Sequence, residues 1–277
     1  MSEKTLKQEF PLVIDTSGDK KPSQFRVDDN ERGVVLTVNA SNGTASSVLF
    51  AKLDEASPLA QMTAYAGEAA KTFVADVAGL HERFKGDELT NRVRGAAAAR
   101  FGKTCGQIQN IGLKETRDVA TSRATLTAVD PATIANAHLR ADALVKWNAA
   151  DRAGQETIAS SDATSYETTA ALIEIGALSS VSDRARDAAI ERYMAQRWLA
   201  KSGSTAAHEI QPSFERPLAT GVDHSAAREA AKREIDKLNA RSEAVTNVED
   251  MLRRICDVLS LATDMPPRDI YKTFDRK

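Results

Sequence analysis

Residues 57–84 read SPLAQMTAYAGEAAKTFVADVAGLHERF, and the fold class turns on them. Leu59, Met62, Ala66, Ala69, Phe73, Val77, Leu80 and Phe84 recur at intervals of three and four. That spacing predicts one apolar stripe along a helix of several turns. Ser57 before Pro58 is a start signal: serine caps, and proline at the first helical position gives up an N–H that has no partner there. Gly86 stops the helix, and Asp87 caps a second one through Leu89, Val93, Ala97 and Phe101.

The same period continues downstream. Ile108, Ile111, Val119, Ser122, Leu126 and Val129 keep helical spacing if Glu115 is admitted to the apolar side, and Gly112 weakens that helix. Asp130-Pro131 repeats the cap-then-proline signal before a stripe of Ile134, His138, Ala141, Val145 and Ala149, with Leu144 and Trp147 near its edge. Residues 153–168 are polar and ambiguous. Apolar character returns at Ala170–Ile175, and Ser182 caps a helix through Ala185, Ala189, Tyr193, Met194 and Trp198 that stops near Gly203. Pro212, Pro217 and Gly221 mark residues 202–224 as a linker. Ser225 then opens a helix carrying Ala227, Ala231, Ile235 and Leu238. After a break near Thr246-Asn247, a second helix carries Val248, Met251, Ile255, Leu259 and Ala262, and Met265-Pro266-Pro267 stops it. Glu229 with Arg233, Glu249 with Arg253 and Asp250 with Arg254 stand four apart in the favourable order, as on solvated helix faces.

Upstream the period is two. Phe25–Val27, Val34–Val38 and Ser47–Ala51 read as strands, joined through Asp28–Gly33 and through Ser41-Asn42-Gly43-Thr44, where Asn-Gly is a strong hairpin signal. Residues 1–23, interrupted by Pro11, Gly18 and Pro22, form an arm with a short strand at Leu12–Ile14. The expected protein is mainly α. It has a multi-helix, bundle-like body over 57–201, preceded by a β-hairpin or three-stranded meander over 24–56. A linker over 202–224 leads to a C-terminal αα-hairpin and tail over 225–277.

Composition agrees. Aromatic residues make up only 5% of the 277 residues while apolar residues make up 42%, so alanine and aliphatics carry the core, as suits closely packed helices. A formal net charge of −2 offers no global attraction for nucleic acid or an anionic membrane. Two cysteines far apart, a charged N-terminus and the absence of an apolar run of membrane-spanning length point to a cytoplasmic protein, alone or incorporated into a larger particle.

No motif identifies a catalytic site. Gly95 to Gly102-Lys103-Thr104 ends as a phosphate-binding loop does, but six residues separate the glycines where the mechanism needs four. A helix C-terminus, with Gly102 just past its end, explains it better. Cys105 near Lys103 reads as an inert thiol and Cys256 as core. His81, His138, His208 and His224 form no ligand set, and His138 reads as a core residue. Asp28-Asp29-Asn30-Glu31 lacks the calcium-loop pattern, because Arg32 takes a ligand position. Basic residues gather at Arg92, Arg94, Arg100 and Lys103, and at Arg184, Arg186, Arg192 and Arg197, interspersed with acidic ones.

The functional expectation is a non-enzymatic structural or assembly protein that self-associates or binds a protein partner, for example as a component of a phage or other particle. Faces of small residues such as Ala96–Ala99 and Ala227, Ala230 and Ala231 motivate it, because such helices bury little area each and gain from larger contact surfaces. No cofactor or metal is expected. One alternative is nucleic-acid binding through Arg92, Arg94, Arg100 and Lys103. Another is an enzyme whose residues converge only in three dimensions.

Overall fold

The computed structural model describes residues 8–9, 23–40, 43–55, 57–202 and 208–274. The expected strand at Leu12–Ile14 lies outside them. The chain forms two compact units: residues 1–117 with 241–277, and residues 118–240. The proline- and glycine-bearing stretch expected as a linker lies within the second unit, and the unit boundaries fall inside two long helices.

In the first unit, β2 (Gln24–Asn30), β3 (Gly33–Asn39) and β4 (Ala45–Ala51) form the expected antiparallel meander, and β1 (Gln8–Glu9) adds beside β2. Val27, Val34, Leu36, Val38, Val48 and Phe50 are buried, as the two-residue period of a half-covered sheet requires. The first turn is tighter than expected. Asn30 pairs with Gly33, so only Glu31 and Arg32 form the loop, and Asp28, Asp29 and Asn30 belong to β2. Asp28 takes an ion pair from Arg26 at 2.8 Å, and Asp29 takes Lys71 at 2.7 Å. Gly33 has φ +137°, and a Cβ there would meet the Phe50 carbonyl oxygen at 2.1 Å.

Helix α1 (Ala60–Arg83) lies across all three strands. It starts two residues later than Pro58 suggests, because Ser57 and Pro58 form a turn in which the Ala60 N–H donates to the Ser57 carbonyl at 3.0 Å. Small residues make its contact with the sheet close: a Cβ on Gly67 would stand 3.1 Å from Val34 Cγ2, and Ala66 and Ala70 are fully buried. Phe73 packs edge-on against Phe25 and Phe101, with centroids 6.0 and 5.6 Å away, and Phe50 stacks on Phe101 at 6.4 Å. These geometries are the favoured ones for aromatic pairs.

Helix α2 (Gly86–Thr127) does not end at Gly102, contrary to the helix-terminus reading. It runs unbroken for 42 residues and absorbs both downstream stripes. Gly102 is there for space: a Cβ would come within 3.0 Å of the Thr273 carbonyl oxygen. Helix α7 (His224–Thr263) likewise continues through the expected break at Thr246-Asn247. The Thr246 hydroxyl bonds the Ser242 carbonyl one turn back, and Val248, Met251 and Ile255 on its following turns are buried. The C-terminal reversal falls instead at Asp264–Pro266, where Asp264 has φ +53°, before the short α8 (Pro267–Lys272). Within this unit Glu115 on α2 is buried, as the stripe requires, and accepts from Nε and NH2 of Arg241 on α7 at 3.0 and 2.9 Å.

The second unit holds α3 (Ala137–Ala149), α4 (Arg152–Ser160), α5 (Tyr166–Glu174), a 3-10 turn (Ala177–Ser180) and α6 (Asp183–Ser202), with the adjoining parts of α2 and α7. Asp151, Ser165 and Ser182 cap α4, α5 and α6 with their side chains. Trp147, Leu172, Leu178, Val181, Ala185 and Ala189 form one core cluster, and Val119, Met194, Ile235 and Leu238 another. Helix α3 turns a different face inward from the one its stripe suggests. Arg140, Ala143 and Trp147 are buried, whereas Ile134 lies fully exposed outside the helix and His138 and Val145 are exposed on it. Burying the large Trp147 ring outweighs burying Val145.

Two substitutions test this backbone. Gly33→Ala is expected to lower unfolding free energy by about 3 kcal/mol or more. Gly95→Ala, exposed within α2 with nothing near its Cβ position, is expected to raise it by roughly 0.5–1 kcal/mol. Urea unfolding checks both, and destabilisation by Gly95→Ala would contradict a helix at that position.

Candidate interaction surface

Residues 208–223 form a closed excursion before α7. The Asp223 N–H donates to the His208 carbonyl at 2.6 Å and the Ile210 N–H to Gly221 at 2.8 Å, while Glu209 bridges Val222. Gly221 permits this closure with φ +115°. At the far end Ser213 and Arg216 exchange backbone hydrogen bonds of 3.1 Å each. Asp223, rather than the expected Ser225, caps α7: its Oδ1 accepts from the Ser225 and Ala226 N–H groups at 2.9 and 3.0 Å. On this tied backbone the Phe214 ring is fully exposed and Leu218 is 90% exposed. Isolated exposed apolar residues are ordinary, but a phenyl ring and a leucine four residues apart on a hydrogen-bonded loop make an apolar projection suited to contact.

A buried polar network holds the connection between α2 and α3, which carries the fully exposed Ile134. Arg197 on α6, only 3% exposed, donates through NH1 and NH2 to the two carboxylate oxygens of Asp130 at 2.9 and 3.0 Å, and through Nε to the Thr125 carbonyl. Arg140 on α3 donates to the Asp130 carbonyl at 3.0 Å, to Glu167 at 2.7 Å and to Glu174 at 3.1 Å. Tyr193 and Tyr166 stack with centroids 4.9 Å apart, and the Tyr193 hydroxyl reaches the Ala128 carbonyl. A buried guanidinium stays charged, so its donors must all find partners, and here two of them converge on one residue of the connection. The hydrogen bonds from Arg197 hold the Asp130 carboxyl below its ordinary range.

The residues singled out in the sequence are placed as follows. Arg94 donates to the Thr263 and Asp264 carbonyls, capping the C-terminal end of α7. Arg100 grips Asp76 through two hydrogen bonds, of 2.7 and 3.3 Å. Arg92 lies over the Phe84 ring and 3.6 Å from Glu88, and Lys103 is an exposed residue of α2. In the second cluster Arg186 pairs with Asp183 and Arg192 bonds the Ala159 carbonyl. Thus many of these cations serve the fold. Cys105 is fully buried in the core rather than beside a charged lysine head; burial pushes its thiol far up, and pushes Cys256 up to about 11. Lys103 and Thr104 lie inside α2, so their backbone N–H groups are turned into the helix and not toward a phosphate. Among the described residues no three His, Cys, Asp or Glu side chains gather as metal ligands, and no helix is long and apolar enough to cross a membrane.

No family model, no curated protein and no solved structure matches the chain. Sequence reasoning passed over Phe214 and Leu218 because a proline- and glycine-bearing stretch reads as linker. Two large apolar side chains inside such a stretch were the available signal.

Two measurements follow. Neither thiol is expected to react with a disulfide reagent at pH 8 in the folded protein, and both are expected to react in urea. Asp130→Asn is expected to destabilise the protein at pH 7. A depressed carboxylate contributes stability above its unfolded value, about 4, and loses that contribution as pH falls through the lower folded value. Urea midpoints of the variant and the parent should therefore converge below about pH 4.

Proposed function

We propose that this protein is a non-enzymatic structural or assembly protein that acts through protein–protein contacts and self-associates, as a component of a larger particle such as a phage. One observation carries the reading: Phe214 and Leu218 stand exposed on the hydrogen-bonded 208–223 excursion. Burying two such side chains in a partner gains about 1.5–3 kcal/mol each, and a loop tied at both ends loses little freedom on docking. The fully exposed Ile134 on the connection held by Arg140 and Arg197 supports the same reading. Nucleic-acid binding through Arg92, Arg94, Arg100 and Lys103 draws less support, since Arg94 and Arg100 already direct their donors to partners within the fold.

Light scattering on size-separated protein tests the proposal. The parent is expected to show a mass above that of one chain that rises with concentration. The double substitution Phe214→Ser with Leu218→Ser should lower that mass while leaving the circular dichroism spectrum unchanged. A parent that stays monomeric at every concentration would defeat the proposal.

A further inference from the structure

The outer edge of β4 has the properties of a strand awaiting a neighbour. The Lys52 N–H donates to the Arg32 carbonyl at 2.9 Å and the Ala40 N–H to Thr44 at 2.7 Å. With the continuous register from Gly33–Ala51 to Asn39–Ala45, antiparallel alternation turns the backbone groups of residues 46, 48 and 50 toward β3. The N–H and C=O groups of Ala45, Ser47, Leu49 and Ala51 therefore point away from it. Among the described residues no strand lies beside them, whereas β2, at the opposite side of the meander, is flanked by β1.

Edge strands that must stay single are commonly guarded by proline, charge or a bulge. β4 has none of these: its sequence is ASSVLFA and its pairing to β3 is unbroken. Its outer side chains are Ala45, Ser47, Leu49 and Ala51, and Leu49 is 40% exposed. A groove of about 690 Å³ runs beside it, walled on the helical side by Asn247, Asp250, Met251 and Arg254 of α7. The groove gives an added strand room.

We propose that the β4 edge pairs with the same edge of a second copy, antiparallel about a two-fold axis, to join the two sheets into one. This rests on the proposed self-association but uses a surface separate from Phe214 and Leu218. The pairing is self-consistent in register. With Val48 opposite the partner's Val48, Ser47 faces the partner's Leu49 and Ala45 faces the partner's Ala51. Every outward N–H then meets an outward C=O, and the core-facing and outer sides of both sheets stay continuous. The strand carries no charge, so self-pairing brings no like charges together. The α7 wall carries Asp250, which accepts from Arg253 at 3.1 Å, and Arg254. Asp250 and Arg254 stand one helical turn apart on this wall, so an antiparallel copy can set each against its opposite charge. An isologous contact of this kind closes on itself as a dimer.

Two variants test the pairing. Ser47→Pro removes an N–H that faces away from β3 and so spares the ladder within the meander. It should raise the concentration for half-dissociation at least about tenfold, with the thermal transition retained. In the double substitution Ser47→Cys with Leu49→Cys, the new thiols belong to directly opposed residues, whose Cα atoms lie about 5.5 Å apart in such a pair, within disulfide reach. Mild oxidation should give a covalent dimer, and Ser47→Cys alone should not. Absence of the covalent dimer under conditions where the parent associates would overturn the β4 contact. So would unchanged mass for a folded Ser47→Pro variant. If Phe214→Ser with Leu218→Ser abolishes association in that same series, the broader assembly reading survives without β4. A strictly monomeric parent removes both.

Discussion

The first unit depends on how closely α1 approaches the sheet. Ala66, Gly67 and Ala70 bring the helix backbone near Val34 and Phe50, so that Phe73 meets Phe25 and Phe101. Large side chains at those three positions would lift the helix and open the aromatic cluster. Small residues bury little area themselves; what they contribute is the approach that lets four phenyl rings meet. The small-residue faces evident along the chain thus have, in α1, an internal use.

The second unit obeys a different constraint. Arg140 and Arg197 are buried cations, and once placed inside they leave the surrounding chain little choice. Asp130 supplies both its carboxylate and its carbonyl, Glu167 and Glu174 come from α5, and the tyrosine pair completes the shell. Apolar replacements can stabilise as well as buried ion pairs do, so the network is better understood as specifying geometry than as adding stability. That geometry holds the connection bearing Ile134.

The two surfaces invoked for association differ in chemistry. The 208–223 excursion offers apolar side chains on a closed loop, while the β4 edge offers backbone hydrogen bonds with few side-chain demands. A partner for the first would need a pocket, and a partner for the second only another extended strand. An isologous contact closes as a dimer, so an assembly protein that uses one needs a second, independent contact to grow further.

The sequence by itself determined the periods: two along Phe25–Ala51, and three-and-four from Leu59 onward. It also marked several turns and caps, at Gly33, Gly43, Gly86, Ser182 and Pro266, because these depend on local backbone preferences. It located the buried Glu115 by the continuity of its stripe. The tertiary structure decided what local preference leaves open. Gly102 reads as a stop and is a packing space for Thr273. Thr246-Asn247 reads as a break, yet buried residues on the next turns of α7 carry the helix through. Val145 and His138 read as core until Trp147 and Arg140 claim the inside, and Phe214 reads as linker until it is seen standing in solvent. The outcomes at Gly102, at Thr246-Asn247 and on α3 depend on residues distant in sequence, and burial against distant partners is stronger than the few tenths of a kcal/mol that separate one local preference from another.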